Sequence, residues 1–518
     1  MTRVRVKTGA ISAGATAGLV VLLLSASQAT AAADGRDLTE ALKTRDARAV
    51  QALLREGVDV NTALADQTTP LHWASHWDDL ETAAALLRAG ARVNVADDIG
   101  TTPLLLACVN GSAAMVRLLL DAGADVTLAR RTGVTPLMMA ARTGNLEVVS
   151  ALLDHGASVN ARESTHEQTA LMWAVAQNHT DIVQLLIKRG ADIHARTLQR
   201  RTRPAVSGQF AGGECCLPNY VGGFTALLFA AQQGHIAAAT LLLEAGADVN
   251  DKAADGSSAL VLAIDSAPVV SERVSRTALA SHSLQEAMAR FLLEHGADPT
   301  LSEAGRTALH SAVQRKMGRL VPLLLERGAS PNARLERRLP SLSRDVGQQN
   351  GLDVITLGAT PFWLAASYSD VETMRALLKG GADPSLSTSD HTTALMAAAG
   401  IDFVDGQDKY GVRTFDQDIS HLVLRARNAV ALCLDLGLDV NAVNDKGQTA
   451  LFGAVYMGSP LLVQLLVDRG ANVNVRNTKG QTPWLVAAVG EYRAGSFFTK
   501  KDAADLLQKL GADTTVGR

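Results

Sequence analysis

Short apolar stretches recur along the chain in pairs, and each pair fits two α-helices joined by a polar turn. In residues 66–98, Leu71 and Ala74 fall on one face of a first helix, and Ala83 and Leu86 fall on one face of a second. Each pair of helices therefore exposes an apolar face that only a neighbouring pair can cover. The pattern predicts a stack of helical hairpins.

Polar and turn-forming residues set the expected helix ends in the same unit. Thr69 can cap the first helix by accepting from a free backbone N–H, and Pro70 suits the first helical position, where no donor is needed. Gly90 ends the second helix in the left-handed conformation, which glycine adopts at low cost. An extended arm over 91–100, with a tight turn at its tip, then leads to the next pair.

The unit recurs with a base period of 33 residues, which indicates a repeat architecture. A glycine that is followed by a small residue, and often by Asp-Val-Asn, closes each helix pair; these glycines are Gly57, Gly90, Gly123, Gly156, Gly190, Gly246, Gly296, Gly328, Gly381, Gly437, Gly470 and Gly511. A triplet that begins with Thr or Ser opens eleven units, at residues 69, 102, 135, 169, 225, 258, 307, 360, 393, 449 and 482.

These motifs resemble the ankyrin repeat. The likeness is fullest in TTPLHWASHWDDLETAAALLRAGARVNVAD (68–97) and TGVTPLMMAARTGNLEVVSALLDHGASVNAR (132–162), and it extends over about nine tenths of the chain after residue 33. The resemblance implies an all-α solenoid of about eleven helix-turn-helix units. The histidine at the fourth position of the opening motif occurs only as His72 and His310, with residues such as Trp363 elsewhere, so we expect looser turns at the other units.

The repeat divides the chain into a stack with an N-terminal capping pair, a C-terminal cap and five insertions. The expected segments are a signal peptide at 1–33, capping helices at 34–65, repeats 1–4 at 66–196, repeats 5–7 at 223–333, and repeats 8–11 with the C-terminal cap at 358–518. The insertions fall at 197–222, 266–284, 334–357, 400–422 and 490–499. Long loops in repeat proteins often carry function, and tolerated surface variation is the alternative.

Residues 1–33 have the pattern of a secretory signal peptide. A basic head precedes an apolar run over 10–24, which is short for a membrane-spanning helix of about 20 residues. Small residues follow, and they place a cleavage site near Ala31 or Ala33. We expect a bacterial periplasmic or secreted protein without a membrane span after cleavage, and an uncleaved anchor is the alternative.

Composition and charge exclude several classes of function. Lys and Arg number 49 against 52 Asp and Glu, so the net charge of −3 provides no excess of cations for binding nucleic acid. Four cysteines in 518 residues exclude a disulfide scaffold. The sequence also lacks the nucleophile, zinc-protease and phosphate-binding motifs of common enzymes. We therefore expect no catalysis, no cofactor and no metal centre.

Two insertions leave alternatives open. Cys215 and Cys216 are adjacent in the first insertion, where a vicinal or intermolecular disulfide, a metal site or two reduced thiols all fit an exported protein. The insertion 400–422 holds five aspartates, but their spacing differs from a calcium-binding loop, so a solvated loop is favoured over a calcium site. An enzyme or a metal-dependent activity housed in the insertions is therefore one alternative function.

The family resemblance implies partner binding on the concave side of the stack, at the arm tips and at the two residues after the inner alanine pair. Carried over unit by unit, the candidate partner-binding residues are His76, Trp77, Arg142, Gln232, Gln233, Gln314, Arg315, Tyr368, Tyr456 and Met457. The arm tips add Arg130, Arg131, Lys446, Arg476 and Lys479. We expect these side chains to be exposed, and Trp, Tyr and Arg are the types that anchor protein interfaces.

The sequence thus favours an exported, non-catalytic scaffold that presents a pre-ordered surface to a partner protein. A secreted effector that acts on host proteins is the other alternative.

Overall fold

The computed structural model describes residues 35–202, 219–268, 276–337, 356–403, 420–493 and 496–515. Within these residues the chain forms 24 α-helices and four short β-strands. The predicted signal peptide, Cys215 and Cys216, and most of the acidic insertion lie outside the described residues.

The helices follow one another as a capping pair and eleven further pairs. The capping pair is α1 (Gly35–Lys43) and α2 (Ala47–Glu56). The first helices of the units are α3 (Pro70–His76), α5 (Pro103–Asn110), α7 (Pro136–Thr143), α9 (Ala170–Ala176), α11 (Ala226–Gln233), α13 (Ala259–Asp265), α15 (Ala308–Gln314), α17 (Pro361–Ser367), α19 (Ala394–Ala398), α21 (Ala450–Tyr456) and α23 (Pro483–Val489). The second helices are α4 (Leu80–Arg88), α6 (Ala113–Asp121), α8 (Leu146–Asp154), α10 (Thr180–Lys188), α12 (Ile236–Glu244), α14 (Arg276–Glu294), α16 (Val321–Glu326), α18 (Val371–Lys379), α20 (Ser420–Asp435), α22 (Pro460–Asp468) and α24 (Lys501–Lys509).

Successive first helices pack side by side, and each also packs against the second helix of its own unit. Fully buried alanines such as Ala74, Ala107 and Ala140 allow this close approach because their side chains are small. One apolar core continues from Leu38 in the capping pair to Ala512 after α24. The predicted all-α solenoid of stacked helical hairpins is therefore confirmed.

The helix ends follow the residues that the repeat places there. Thr102 accepts a hydrogen bond from the backbone N–H of Leu105 at 3.2 Å, and Pro103 takes the first helical position after it. Gly90 follows the second helix of the first unit with φ +90°, in the left-handed region.

His72 joins two units, as the family resemblance implies. Its Nδ1 accepts from the backbone N–H of Thr69 at 3.1 Å, so Nε2 carries the proton and donates to the carbonyl of Thr101 at 3.0 Å. His310 makes the same kind of bond to the carbonyl of Ala359. Trp363 occupies the equivalent position and donates its indole N–H to the next unit, so the expectation of a looser turn is wrong there.

The last residue of the closing motif fastens neighbouring arms wherever it is asparagine. Asn94 donates its amide N–H to the carbonyl of Gly123 at 3.1 Å, and its Oδ1 accepts from the N–H of Asp125 at 2.8 Å. We call this pair of bonds the asparagine clamp. It recurs at Asn61, Asn160, Asn250, Asn332, Asn441 and Asn474. Thr127, Thr300 and Ser385 take the same position in other units and turn their hydroxyls to the aspartate two residues earlier.

The described parts of the insertions contain regular structure. Strands β1 (Arg200–Thr202) and β2 (Asn219–Val221) pair antiparallel in the first insertion, and β3 (Glu491–Arg493) pairs with β4 (Ser496–Phe498) in the last. Residues 276–284 were expected in a loop, but they extend α14 to 19 residues, compared with nine in α4. No proline or glycine interrupts this stretch, so the second helix continues backwards through it.

Candidate partner-binding surface

The candidate partner-binding residues lie at the C-terminal ends of the first helices, one unit after another. Because the first helices pack in series, these ends form one continuous strip, which we call the inner strip. Its N-terminal half, in units 1 to 5, holds His76, Trp77, Arg142, Gln232 and Gln233. Its C-terminal half, in units 7 to 10, holds Gln314, Arg315, Tyr368, Tyr456 and Met457.

The N-terminal half of the inner strip is open to solvent. His76, Arg142 and Gln233 are exposed, while Trp77 and Gln232 are half-buried. The Trp77 ring contacts the His76 ring at a centroid distance of 4.4 Å, and the Arg45 guanidinium lies 4.4 Å from the Trp77 ring centroid. The structure thus shows the expected exposure for His76, Arg142 and Gln233, and only part of it for Trp77 and Gln232.

The C-terminal half is covered, so the expected exposure of its residues is wrong. Gln314, Tyr456 and Met457 keep only 3%, 2% and 1% of their surface accessible. Arg315 and Tyr368 are half-buried. Tyr456 belongs to the apolar core, and its hydroxyl accepts a hydrogen bond from Nε2 of Gln448 at 2.6 Å.

The chain after α19 covers the end of α21. Helix α19 ends early, and the backbone at Gly400 then passes so close to Met457 that a Cβ on Gly400 would lie 2.5 Å from the Met457 Cγ. The backbone of Ile401 lies equally close to Gly453, where a Cβ would be 2.8 Å from the Ile401 nitrogen. The start of the insertion 400–422 therefore packs directly on the end of α21.

A buried polar cluster lies in the middle of the inner strip, where the covered half begins. Arg306 and Asp265 form an ion pair at 2.6 Å, with 11% of each side chain accessible. Arg315 donates to the carbonyl of Ala267 at 3.1 Å; burial lowers the pKa of this guanidinium, and the nearby Asp265 opposes that shift. Ala267 lies at the start of the insertion 266–284, so this insertion also packs on the inner strip.

Asp402 extends the polar cluster at the next unit. The Ser367 hydroxyl donates to Oδ2 of Asp402 at 2.7 Å. Burial, together with the Asp402 carboxylate, raises the pKa of the Tyr368 phenol above its usual range. Arg315 is thus bonded to the start of the insertion 266–284, and Tyr368 lies near a carboxylate at the start of the insertion 400–422.

Sequence reasoning missed a second row of side chains beside the open half. The fifth position of the opening motif carries large apolar residues in units 1 to 6, whereas the later units mix Leu364 and Val486 with the small residues Ser311, Ala397 and Gly453. We call the row over units 1 to 5 the apolar row, and its members are Trp73, Leu106, Met139, Trp173 and Phe229. All except Met139 are half-buried. The unbroken run of large apolar side chains in units 1 to 6 is a sequence pattern that could have pointed to this row.

We also searched the described residues for metal sites, membrane-spanning helices, reactive cysteines and cavities. They contain no group of three or more His, Cys, Asp or Glu that could hold a metal ion, and no helix among them is long and apolar enough to cross a membrane. Cys108 and Cys433 are buried, and burial raises the pKa of the Cys108 thiol. An open cavity of about 470 Å³ lies between α12 and the end of α14, and none of its lining residues belongs to the inner strip.

Comparison with known protein families identifies the repeat that builds this fold. A model of three ankyrin-repeat copies matches residues 38–130, 128–197 and 267–334, and a single-repeat ankyrin model matches residues 222–254, 357–389 and 446–478. The solved structure of the human ASB11 ankyrin repeat domain is 26% identical, covers 51% of this chain and 98% of that chain, and superposes with a TM-score of 0.38. The comparison with curated proteins finds no significant match. The chain belongs to the ankyrin-repeat family.

Proposed function

We propose that this protein is an exported scaffold without catalytic activity of its own, which binds a partner protein on the N-terminal half of the inner strip. Ankyrin repeats are protein-interaction scaffolds, which supports a protein as the partner. The observation that carries the proposal is the contrast between the two halves: His76, Trp77 and Arg142 reach solvent, whereas Tyr456 and Met457 do not.

The open half is rich in the residue types that anchor protein interfaces. Trp73 and Trp77 stack at a centroid distance of 6.3 Å, and the Arg142 guanidinium lies 5.9 Å from the Trp173 ring centroid. Aromatic and Arg side chains that remain partly accessible carry much of the binding energy in protein interfaces. Because packed helices hold these side chains in place, little conformational entropy is lost on association.

Export is supported by the sequence of residues 1–33. The expected product is a periplasmic or secreted protein whose N-terminus follows Ala31 or Ala33. N-terminal sequencing of the protein from fractionated cells tests this part of the proposal. Recovery of the full-length chain in the cytosol would contradict export while leaving partner binding untouched.

Partner binding is tested by affinity capture with the full chain, identification of the captured protein, and titration of the purified pair. Replacement of Trp77 with alanine should weaken binding by about 2 kcal/mol, or roughly 30-fold. Trp484→Ala is the matched control, because Trp484 is also half-buried but lies in unit 11. A partner bound equally by wild type and both variants would place its site elsewhere, and a chain that captures no protein would refute the scaffold proposal.

A further inference from the structure

The apolar row has the dimensions of a short peptide segment. Neighbouring helices pack about 8–10 Å apart, so five units extend it over roughly 35 Å. An extended chain rises about 3.3 Å per residue, so about ten residues of a partner would cover this length. Trp73, Trp173 and Phe229 are half-buried along it.

Two arginines at the arm tip after unit 2, and a third at the end of α7, have no ion pair with a described carboxylate. Arg131 and Arg142 are exposed and Arg130 is half-buried, and no ion pair joins any of them to a described Asp or Glu. The Arg130 Nε is buried and has no hydrogen-bond partner. Arg142 instead lies over the Trp173 ring. These three cations are available to a ligand.

Other charged side chains nearby already have partners within the chain. Arg162 pairs with Glu167 at 3.5 Å. The Glu163 carboxylate is buried and accepts from the backbone N–H groups of Thr165 and His166 at 2.7 and 2.6 Å. The exposed Asp98 lies on the neighbouring arm, where the backbone N–H of Arg131 donates to the carbonyl of Ile99, but it forms no ion pair with these arginines. Arg130, Arg131 and Arg142 therefore keep positive charge with which no described carboxylate forms an ion pair, although the net charge of the whole chain is −3.

We infer that the open half of the inner strip binds an acidic segment of the partner protein, in which carboxylates alternate with apolar side chains. This inference rests on the proposed function and specifies its ligand. The apolar side chains lie on the row from Trp73 to Phe229. The carboxylates pair with Arg130 and Arg131 at the arm tip and with Arg142, where the Trp173 ring shields the pair from water and strengthens it.

The direct test titrates the full chain with synthetic peptides of twelve residues in three matched sets. Every peptide has the same Leu, Phe and Trp positions, and the sets carry Asp/Glu, Ser/Gln or Lys/Arg between them. The acidic set should bind at least about tenfold more tightly than the other two, and its affinity should fall as salt rises. Equal or tighter binding by the neutral or basic set, or no binding by any set, would overturn the inference.

A charge-reversal variant locates the binding. Arg130→Glu/Arg131→Glu/Arg142→Glu should abolish the preference for the acidic set. Arg55→Glu/Arg88→Glu/Arg92→Glu is the matched control, because it makes the same change in net charge at exposed arginines outside the inner strip and should keep the preference. Unchanged acidic-peptide binding by the first variant would refute the site.

The two proposals fail separately. A natural partner that depends on Trp77 but ignores salt and the arginine reversal would leave the scaffold proposal standing and overturn the acidic segment. Loss of all partner capture would refute the scaffold itself.

Discussion

Trp363 donates its indole N–H to the carbonyl of Thr392 at 2.9 Å, 29 residues further along the chain. His72 reaches Thr101 over the same separation with its Nε2 at 3.0 Å. A five-membered and a bicyclic ring thus place an N–H at the same point between two units, and both are buried. The carbonyls of Thr101 and Thr392 lie in the interior of the stack, where an unpaired carbonyl is unfavourable. This motif position therefore requires a side-chain N–H donor at the right distance.

Replacement of Trp363 with phenylalanine removes that donor and leaves unfilled volume in the core. We expect the free energy of unfolding to fall by about 2 kcal/mol. Trp484→Phe is the matched control, because the Trp484 indole is half-buried and donates to no described residue. Urea titration followed by circular dichroism measures both, and an equal loss in the two variants would show that the indole bond contributes little.

His310 makes the stack sensitive to acid. Burial lowers its pKa to about 4, compared with about 6.5 in the unfolded chain, so the unfolded chain takes up a proton first as pH falls. The stabilisation by neutral His310 is complete above pH 6.5 and is lost between pH 6.5 and 4, up to about 3 kcal/mol. Urea titrations across this range should show a shallower pH dependence in His310→Gln. The same slope in both proteins would contradict the assignment.

The asparagine clamp can be isolated by comparing two adjacent arms. Asn94→Ala removes two bonds between units and should cost about 1–2 kcal/mol of unfolding free energy. Thr127→Ala removes only a bond within its own turn and should cost less than about 1 kcal/mol. Urea midpoints of the two variants test the difference, and a larger loss for Thr127→Ala would argue against the clamp.

Gly400 sets how closely the backbone at the start of the insertion 400–422 approaches Met457. Its φ is +94°, and an added Cβ would clash with Met457, so Gly400→Ala should cost about 2–3 kcal/mol and partly expose Met457. Gly90→Ala has a similar φ but meets no atom within 4 Å, so about 1 kcal/mol of backbone strain is expected there. Peroxide oxidation of Met457, read by mass spectrometry, should be faster only in Gly400→Ala. Unchanged oxidation would mean that the cover does not depend on this glycine.

The stack itself could be predicted because its determinants are local and repeated. Thr102 and Gly90 set helix ends through their own hydroxyl and backbone freedom, and eleven copies of the same unit reinforce the same prediction. The role of Asn94 could also have been read from the repeat, because asparagine recurs at the end of the closing motif. Its effect depends on a glycine in the next unit, which a single copy of the motif does not reveal.

The candidate site was predicted only in part. Trp77 and Arg142 are accessible because nothing in units 1 to 4 departs from the repeat. Tyr456 and Met457 occupy equivalent positions but are covered, because the backbone at Gly400 and Ile401, just after α19, packs against the next unit. That path depends on contacts between distant parts of the chain, and no periodic pattern in residues 400–422 encodes it.

The asparagine clamp is distributed unevenly, and this affects how the molecule responds to mechanical load. Arms held by asparagine are fastened at two points, whereas those that end in Thr127, His194, Thr300 and Ser385 lack this fastening. A chain stretched from its ends should yield first at these four seams. It would then extend in steps that release blocks of a few hairpins, and because the seams after Thr127 and His194 fall within units 1 to 5, the open half of the inner strip would be divided before its helices unravel.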